Sequence, residues 1–392
     1  MTSKNRIVAI SESPDPQLAT LFHQLASDLG GGFKVLLGTQ AKNPAHLAGY
    51  SFSQVDERGP IDIGRVLRHQ GVGQQCSVLF DAITPAFSRT AAIAAKMLGA
   101  RLLYRRPISG LCETAHDNWA TRLRDRISLS LFDCFLATGT HEWEYIEQVV
   151  RKPLIVFSPH FGNPTALAKQ VSMYSAVRRD SRDQLGIELS DFVVASFGPF
   201  VPDSKHTLLI EAAHWIENRC EAHVKNSREL SIRLLLAGDG PARAKLHTQI
   251  RDRNWKRQPI DGGGGSERIT LGRLLCAADA FVVLSATQPS AVINLCDAQL
   301  LGNVCLANKA LTASQDLIVE GRNGTVIDPL SPQAIAHGLI DLVAIRERAD
   351  HIDLNRELSQ TFSPVTASRG IIAAAKLGST GALTTRPPGL PQ

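Results

Sequence analysis

Between Ala278 and Pro329 the chain switches its hydrophobic rhythm from strand to helix and back. Phe281 to Leu284 is a short apolar, β-branched run, long enough for a buried strand. A polar turn follows from Ser285 to Ser290. Ala291 to Leu301 then carries apolar residues at helical spacing, and Gly302 stands where that helix would end. Val304 to Ala307 is a second buried run. Strand, loop, helix and strand in this order predict an open parallel sheet, whose ligands bind at the carboxyl edge of the strands. The helix start near Ser290 and Ala291 offers free backbone N–H groups and a partial positive charge, both suited to a phosphate.

The same alternation runs through the chain. Arg6 to Ile10, Gln17 to Leu29 and Phe33 to Leu37 read as a βαβ opening, with Gly30–Gly32 ending the helix. Further strands are predicted over 77–80, 101–104, 132–138 and 154–157, and helices over 90–98, 118–131 and 142–149. The polar, basic run from Ala176 to Asp183 reads as a linker. Beyond it, strands are predicted over 191–196 and 231–237, and helices over 206–217 and 332–344. Gly262–Gly265 reads as a flexible insert. The domain boundaries that follow are 1–175, 185–365, a C-terminal helix over 366–378 that packs back on the first domain, and a disordered Pro-rich tail over 379–392.

The 392 residues suffice for two domains, and 44% hydrophobic content supports real cores. No apolar run approaches the roughly 18 to 20 residues of a membrane span, and the N-terminus lacks a secretory pattern. Seven scattered cysteines without a C-x-x-C agree with a cytoplasmic protein of buried free thiols. A net charge of +5 is mild and argues against nucleic acid as a partner. Basic residues do cluster in the first half: Arg101, Arg105, Arg106, Arg122, Arg124, Arg126, Arg151 and Lys152. They read as a solvated face, or as a peripheral contact with anionic lipid at the inner face of the membrane. No dinucleotide-binding G-x-G-x-x-G follows the first strand, and no P-loop or G-x-S-x-G occurs. No D-x-D follows a strand, so no metal is implied.

The residues of the opening stretch resemble those of family 4 glycosyltransferases, retaining enzymes of GT-B architecture. Ala278-Asp279-Ala280-Phe281, Ser285, Gly302 with Val304, and Gly321-Arg322-Asn323-Gly324 through Pro329 carry the likeness. Glu320 sits one place later than the family's glutamate. Gly238-Asp239-Gly240-Pro241 matches the family's G-x-G-P turn. The segment from Gly198 is similar to V-G-R-L-x-x-x-K-G-x-x-x-L-I-x-A, with Pro199 in place of the arginine. Lys205 matches the lysine if the loop is one residue longer. Of the family's two glutamates eight positions apart, the first is replaced by Gln288 or Pro289 and the second by Asp297. Pro14 and Asp15 stand where relatives carry a Gly-Gly loop, and the loop Ser158 to Asn163 replaces I-P-N-G-V-D.

The resemblance implies two Rossmann-like α/β domains facing across a central cleft. It implies transfer of a hexose or N-acetylhexosamine from a UDP- or GDP-linked sugar to a glycan or lipid-linked acceptor, with no separate cofactor. The residues it points to for catalysis are His116, Lys205 and Gln288. For the donor they are Gly198, Lys205, Ser290, Ala291 and Asp297. Arg105, Arg106 and Asp117 are further candidates on the acceptor side. Two rivals stand beside this reading: a non-catalytic GT-B partner or scaffold, and a nucleotide-sugar epimerase.

Overall fold

The computed structural model describes residues 6–11, 16–38, 52–55, 60–81, 86–105, 126–188, 190–219, 232–264, 268–286 and 289–377. These fall into two compact units. One takes Met1–His160 with Ser363–Gln392, the other Phe161–Phe362.

The first unit is built on a seven-stranded, all-parallel sheet. Its strands are β1 (Arg6–Ser11), β2 (Phe33–Gly38), β3 (Phe52–Val55), β4 (Cys76–Phe80), β5 (Arg101–Tyr104), β6 (Cys134–Ala137) and β7 (Ile155–Phe157). They lie in the order β3-β2-β1-β4-β5-β6-β7. In β1 every residue from Ile7 to Ser11 is buried, as expected for a parallel strand covered on both faces. Register pairs Ile7 with Phe33 on one side and with Ser77 on the other. Helices α1 (Pro16–Leu29), α2 (Pro60–His69), α3 (Ala86–Met97) and α4 (Thr140–Val149) connect the strands.

The order of the strands sends the chain outward in both directions from the β1/β4 pair. The predicted helix over 118–131 lies largely outside the described residues. So do His116, Arg106, Asp117, Pro14, Asp15 and the tail over 379–392.

In the second unit α5 (Ala168–Ser172) and α6 (Tyr174–Gln184) precede a six-stranded parallel sheet. Its strands are β8 (Phe192–Phe197), β9 (Ile232–Ala237), β10 (Ile260–Asp261), β11 (Ala280–Val283), β12 (Val304–Asn308) and β13 (Gly324–Ile327). Their order is β10-β9-β8-β11-β12-β13. The helices are α7 (His206–Arg219), α8 (Arg243–Arg251), α9 (Arg268–Ala277), α10 (Pro289–Leu300), α11 (Ser314–Leu317), α12 (Pro332–Arg348) and α13 (His351–Thr361). Val194, Leu234, Val282 and Leu306 of the sheet meet Leu209, Ile210, Ile335 and Leu339 in one core.

A last helix, α14 (Pro364–Lys376), belongs to the first unit. Ser363 caps it by accepting from the Thr366 N–H, 3.2 Å away. Ser368 donates to Asp28 of α1 at 2.6 Å. A Cβ at Gly370 would lie 2.1 Å from the Phe157 carbonyl, so only glycine lets this helix settle on β7.

Two sequence expectations need correction. The basic run over 176–183 is not a linker but most of α6. Its polarity misleads, because Arg178 and Arg182, one helical turn apart, both turn inward. Arg178 reaches Asp279 at 2.7 Å and donates to the Cys276 and Ala278 carbonyls at the end of α9. Arg182, 5% exposed, contacts the other carboxylate oxygen at 3.3 Å and donates to the Ala277, Glu188 and Asp191 carbonyls. The glycine run at 262 is likewise not a loose insert. Its first residues prolong the sheet edge: Gly262 N–H donates to the Leu236 carbonyl at 2.7 Å, directly after β10. Gly265 lies outside the described residues. Among the described residues no helix is long and apolar enough to cross a membrane.

Candidate functional site

At the carboxyl edge of the second sheet, three loops lock together through their backbones. Gly198 N–H donates to the Ala237 carbonyl at 3.1 Å, and Phe200 N–H to the Asp239 carbonyl at 2.8 Å. Ala242 N–H returns a bond to the Phe200 carbonyl, and Gly238 N–H donates to the Gly263 carbonyl, both at 2.8 Å. Such close approach excludes side chains. A Cβ at Gly238 would sit 1.9 Å from the Gly198 carbonyl oxygen, and one at Gly240 would sit 2.7 Å from that of Phe200. Both glycines hold positive φ, 157° and 148°. The G-x-G-P turn is therefore a backbone-to-backbone joint along the edge of the sheet.

Past Gly198 the chain makes a short 3-10 turn over Pro202–Ser204 and enters α7 at His206. Lys205 holds φ 57° and ψ 19°, the left-handed region that favours glycine. Counted from Gly198 with no added residue, the motif's lysine falls on Ser204 and its glycine on Lys205. Leu209-Ile210-Glu211-Ala212 then meets L-I-x-A in step. The backbone thus supports the ungapped register. Ser204 is committed to the loop, donating to the Pro199 carbonyl. Ser285, after β11, braces the same loop by donating to Asp203 at 2.8 Å. Lys205, half-buried at the start of α7, has an ammonium with no hydrogen-bond or ion-pair partner among the described residues.

His206, in the first turn of α7, is 4% exposed, and neither ring nitrogen has a partner. It packs edge-on against Phe200 at 5.0 Å, and burial pushes its pKa down to about 4. It is neutral at neutral pH.

The other residues singled out from the sequence separate by role. Ser290 is half-buried in the first turn of α10 and Ala291 is buried; Gln288 lies outside the described residues. Asp297, on the same helix, is 1% exposed and accepts from the Asn163 N–H at 2.6 Å. A Cβ at Gly162 would lie 2.3 Å from its carboxylate. Asp297 thus grips the loop before α5, a partner that sequence spacing could not reveal.

The E-G-R-N-G stretch also makes scaffold contacts, with its Asn323 and Gly324 buried and Glu320 and Arg322 exposed. Asn323, fully buried, accepts from Val319 N–H and donates to the Leu317 carbonyl and to Asn355. Glu320 accepts from Val326 N–H at 2.9 Å. A Cβ at Gly324 would lie 2.1 Å from the Cys305 carbonyl. Further along the edge, Lys309, Ser314, Gln315, Val326 and Asp328 line a hollow of about 420 Å³.

In the first unit Arg105 follows β5 and is buried. Its Nε donates to Ser158 Oγ at 2.9 Å and its Nη2 to the Pro159 carbonyl at 2.8 Å. Sequence reading passed over the groups beside it: Thr138, Glu142 and His160 form a buried chain of hydrogen bonds. Their only signal was the altered loop Ser158 to Asn163.

Comparison with known proteins bears on both units. Residues 177–357 match the family model "Glycosyl transferases group 1". Among curated protein sequences none matches. Solved structures similar over nearly the whole chain include the following three. Anabaena HepE, solved in complex with UDP, shares 17% identity with a TM-score of 0.69, covering 94% of this chain and 99% of its own. A glycosyltransferase from Rickettsia africae shares 13% identity with a TM-score of 0.71, covering 95% and 98%. The lipopolysaccharide outer core galactosyltransferase WaaB shares 12% identity with a TM-score of 0.63, covering 94% and 98%. With two parallel α/β units and these likenesses, the chain has the GT-B fold, and its second unit carries the stretch that matches the group 1 glycosyl transferases.

Proposed function

We propose that the protein is a retaining, metal-independent glycosyltransferase. It moves a hexose or N-acetylhexosamine from a UDP- or GDP-linked donor to a glycan or lipid-linked acceptor. The carrying observation is the carboxyl edge of the second sheet. A side-chain-free glycine joint adjoins the start of α7, and an unpartnered lysine stands beside it. Helix-start amides and a free ammonium are the groups a diphosphate needs. HepE has been solved with UDP and with UDP-glucose, which supports the same ligand class here.

In this reading the bond between the anomeric carbon and the diphosphate oxygen breaks, one to the acceptor oxygen forms on the same face, and the acceptor hydroxyl's proton passes to the leaving diphosphate. The nucleoside diphosphate leaves with the negative charge. Lys205 and the α7 amides stabilise that charge as it develops. Ser290 and Ala291, at the start of α10, supply a second set of amides. Asp297 serves the site by holding Asn163 rather than by meeting the donor in open solvent. A cytoplasmic protein working at the inner membrane face suits a lipid-linked acceptor.

Calorimetric titration with UDP and GDP tests the proposal. Wild type binds one of them, and Lys205→Ala weakens that binding by about 1.5 to 3 kcal/mol, the worth of a charged hydrogen bond. The scaffold reading draws on Pro199, which leaves the motif's arginine position without charge. Failure of UDP, GDP and UDP-glucose alike to bind would establish that reading in place of the enzyme.

A further inference from the structure

The carboxyl edge of the first sheet carries a polar constellation that the donor reading leaves unused. Arg105 follows β5, Thr138 follows β6, Ser158 and His160 follow β7, and Glu142 stands on α4. Each is at least nine-tenths buried. Arg105 holds the β7 loop through Ser158 and Pro159, while Ser158 Oγ donates onward to the Ala367 carbonyl at 3.0 Å. His160 N–H is fixed to the Thr138 carbonyl at 3.1 Å. The ring is therefore mounted on a rigid base.

Counting protons then assigns its tautomer. Thr138 Oγ1 donates its one hydrogen to Glu142 Oε2, which also accepts from the Thr138 N–H at 2.8 Å. With that hydrogen spent, Oγ1 can only accept from His160 Nε2, 2.7 Å away. The proton of the neutral ring thus sits on Nε2, and Nδ1 carries a bare lone pair. Nδ1 has no hydrogen-bond partner among the described residues, and it is not among the sealed-off polar atoms. Burial, with the Arg105 charge behind it, pushes the ring's pKa down to about 3. The ring therefore stays an acceptor of hydrogen bonds and does not take up a proton at neutral pH.

A fixed, uncharged acceptor at a sheet edge fits a neutral donor of hydrogen bonds. We propose that Nδ1 of His160 accepts a hydrogen bond from a sugar hydroxyl of the acceptor substrate, with Thr138 and Glu142 as positioning residues that set the tautomer. This rests on the glycosyl-transfer reading above and names an acceptor contact for it.

Nitrogen-15 spectra of the full-length chain labelled at histidine test it, with methyl α-glucoside and methyl α-N-acetylglucosaminide as probes. In wild type at neutral pH the His160 signal should be that of the Nε2–H tautomer. In Thr138→Val the two tautomers should mix. At least one probe should move the Nδ1 resonance saturably. Saturation-transfer signals of that probe at the His160 edge should vanish in His160→Phe and persist in His160→Gln, which retains an acceptor. An Nδ1–H tautomer in wild type, or an Nδ1 resonance that neither sugar moves, overturns the proposal. UDP titration is a separate readout: its failure sinks the donor reading and leaves the tautomer result standing. Unchanged UDP affinity in His160→Phe shows that the variant folds.

Discussion

The two sheets share a parallel doubly wound plan, yet finish their carboxyl edges differently. In the second unit the edge is backbone: Gly198, Gly238, Gly240 and Gly263 bring main chains together, and at Gly238 and Gly240 no Cβ fits. In the first unit it is side chain: Arg105, Thr138, Glu142, Ser158 and His160, all buried and cross-bonded. A backbone edge presents amides of fixed polarity, which suit phosphate oxygens. A side-chain edge presents chosen donors and acceptors, which suit a particular arrangement of hydroxyls. In the proposed reading, the plan of the sheet sets where a ligand goes and the finish of the edge sets its kind.

Five substitutions and one pH titration press on this contrast. The largest effect lies at the start of β11, away from either carboxyl edge. Asp279 meets Arg178, Arg182 and, at 3.7 Å, Arg346, and accepts from Val193 N–H. Asp279→Ala leaves buried cations without their carboxylate and should cost about 3 to 5 kcal/mol in urea unfolding. A loss within the noise of a surface change would show that the arginines hold α6 through carbonyls alone.

Next comes the glycine joint. Gly238→Ala forces a side chain into positive φ, worth about 1 to 3 kcal/mol of strain, before its clash with Gly198 is counted. Thermal melts should drop and UDP binding should be lost. Gly31→Ala, where nothing lies within 4 Å, should stay within about 0.5 kcal/mol of wild type. Equal effects at both positions would break the claim that the second edge is backbone-built.

The pH response sharpens the comparison, since each edge holds one depressed histidine. His160 and His206 have pKa values pushed down to about 3 and about 4 by burial. Both are harder to protonate folded than unfolded. Below about pH 6.5 the unfolded chain takes up protons that the folded chain refuses, so stability falls as pH drops towards 4. Each ring contributes up to about 1.4 kcal/mol per pH unit over that window. Urea midpoints against pH should show the slope. His206→Phe, which removes two unpartnered nitrogens, should reduce it at little cost near pH 7.

The smallest effect in unfolding is expected from Lys205→Ala. Its ammonium touches no described partner, so stability should change by less than about 0.5 kcal/mol while nucleotide affinity falls. A stability loss well beyond that would make Lys205 part of the scaffold.

Much of the fold was legible because parallel strands are uniformly apolar and helices are punctuated. The run Ile7 to Ile10, the closing Gly302 and the Pro332 start of α12 needed no partner to be recognised. Polarity misled where charge was buried. Arg178 and Arg182 looked like linker residues because nothing nearby in sequence announced Asp279, about a hundred positions away. Glycine misled in the opposite sense at 262–263, where freedom of the backbone serves pairing with β9 and its turn rather than mobility. Asp297 and Asn323 stood at motif positions, and the structure gives each a scaffold partner that local sequence does not announce, Asn163 and Asn355.

By itself the sequence determined the alternation of strands and helices, the G-x-G-P joint and the likeness of its second half to sugar-transfer proteins. All of these are written in short-range periodicity and in residues with unusual backbone freedom. The tertiary structure alone decided which charged side chains are buried and paired, and that Lys205 takes a glycine's conformation. It also decided which nitrogen of His160 meets Thr138. Those properties depend on groups brought within about 3 Å of each other from distant parts of the chain, and no local pattern encodes that proximity.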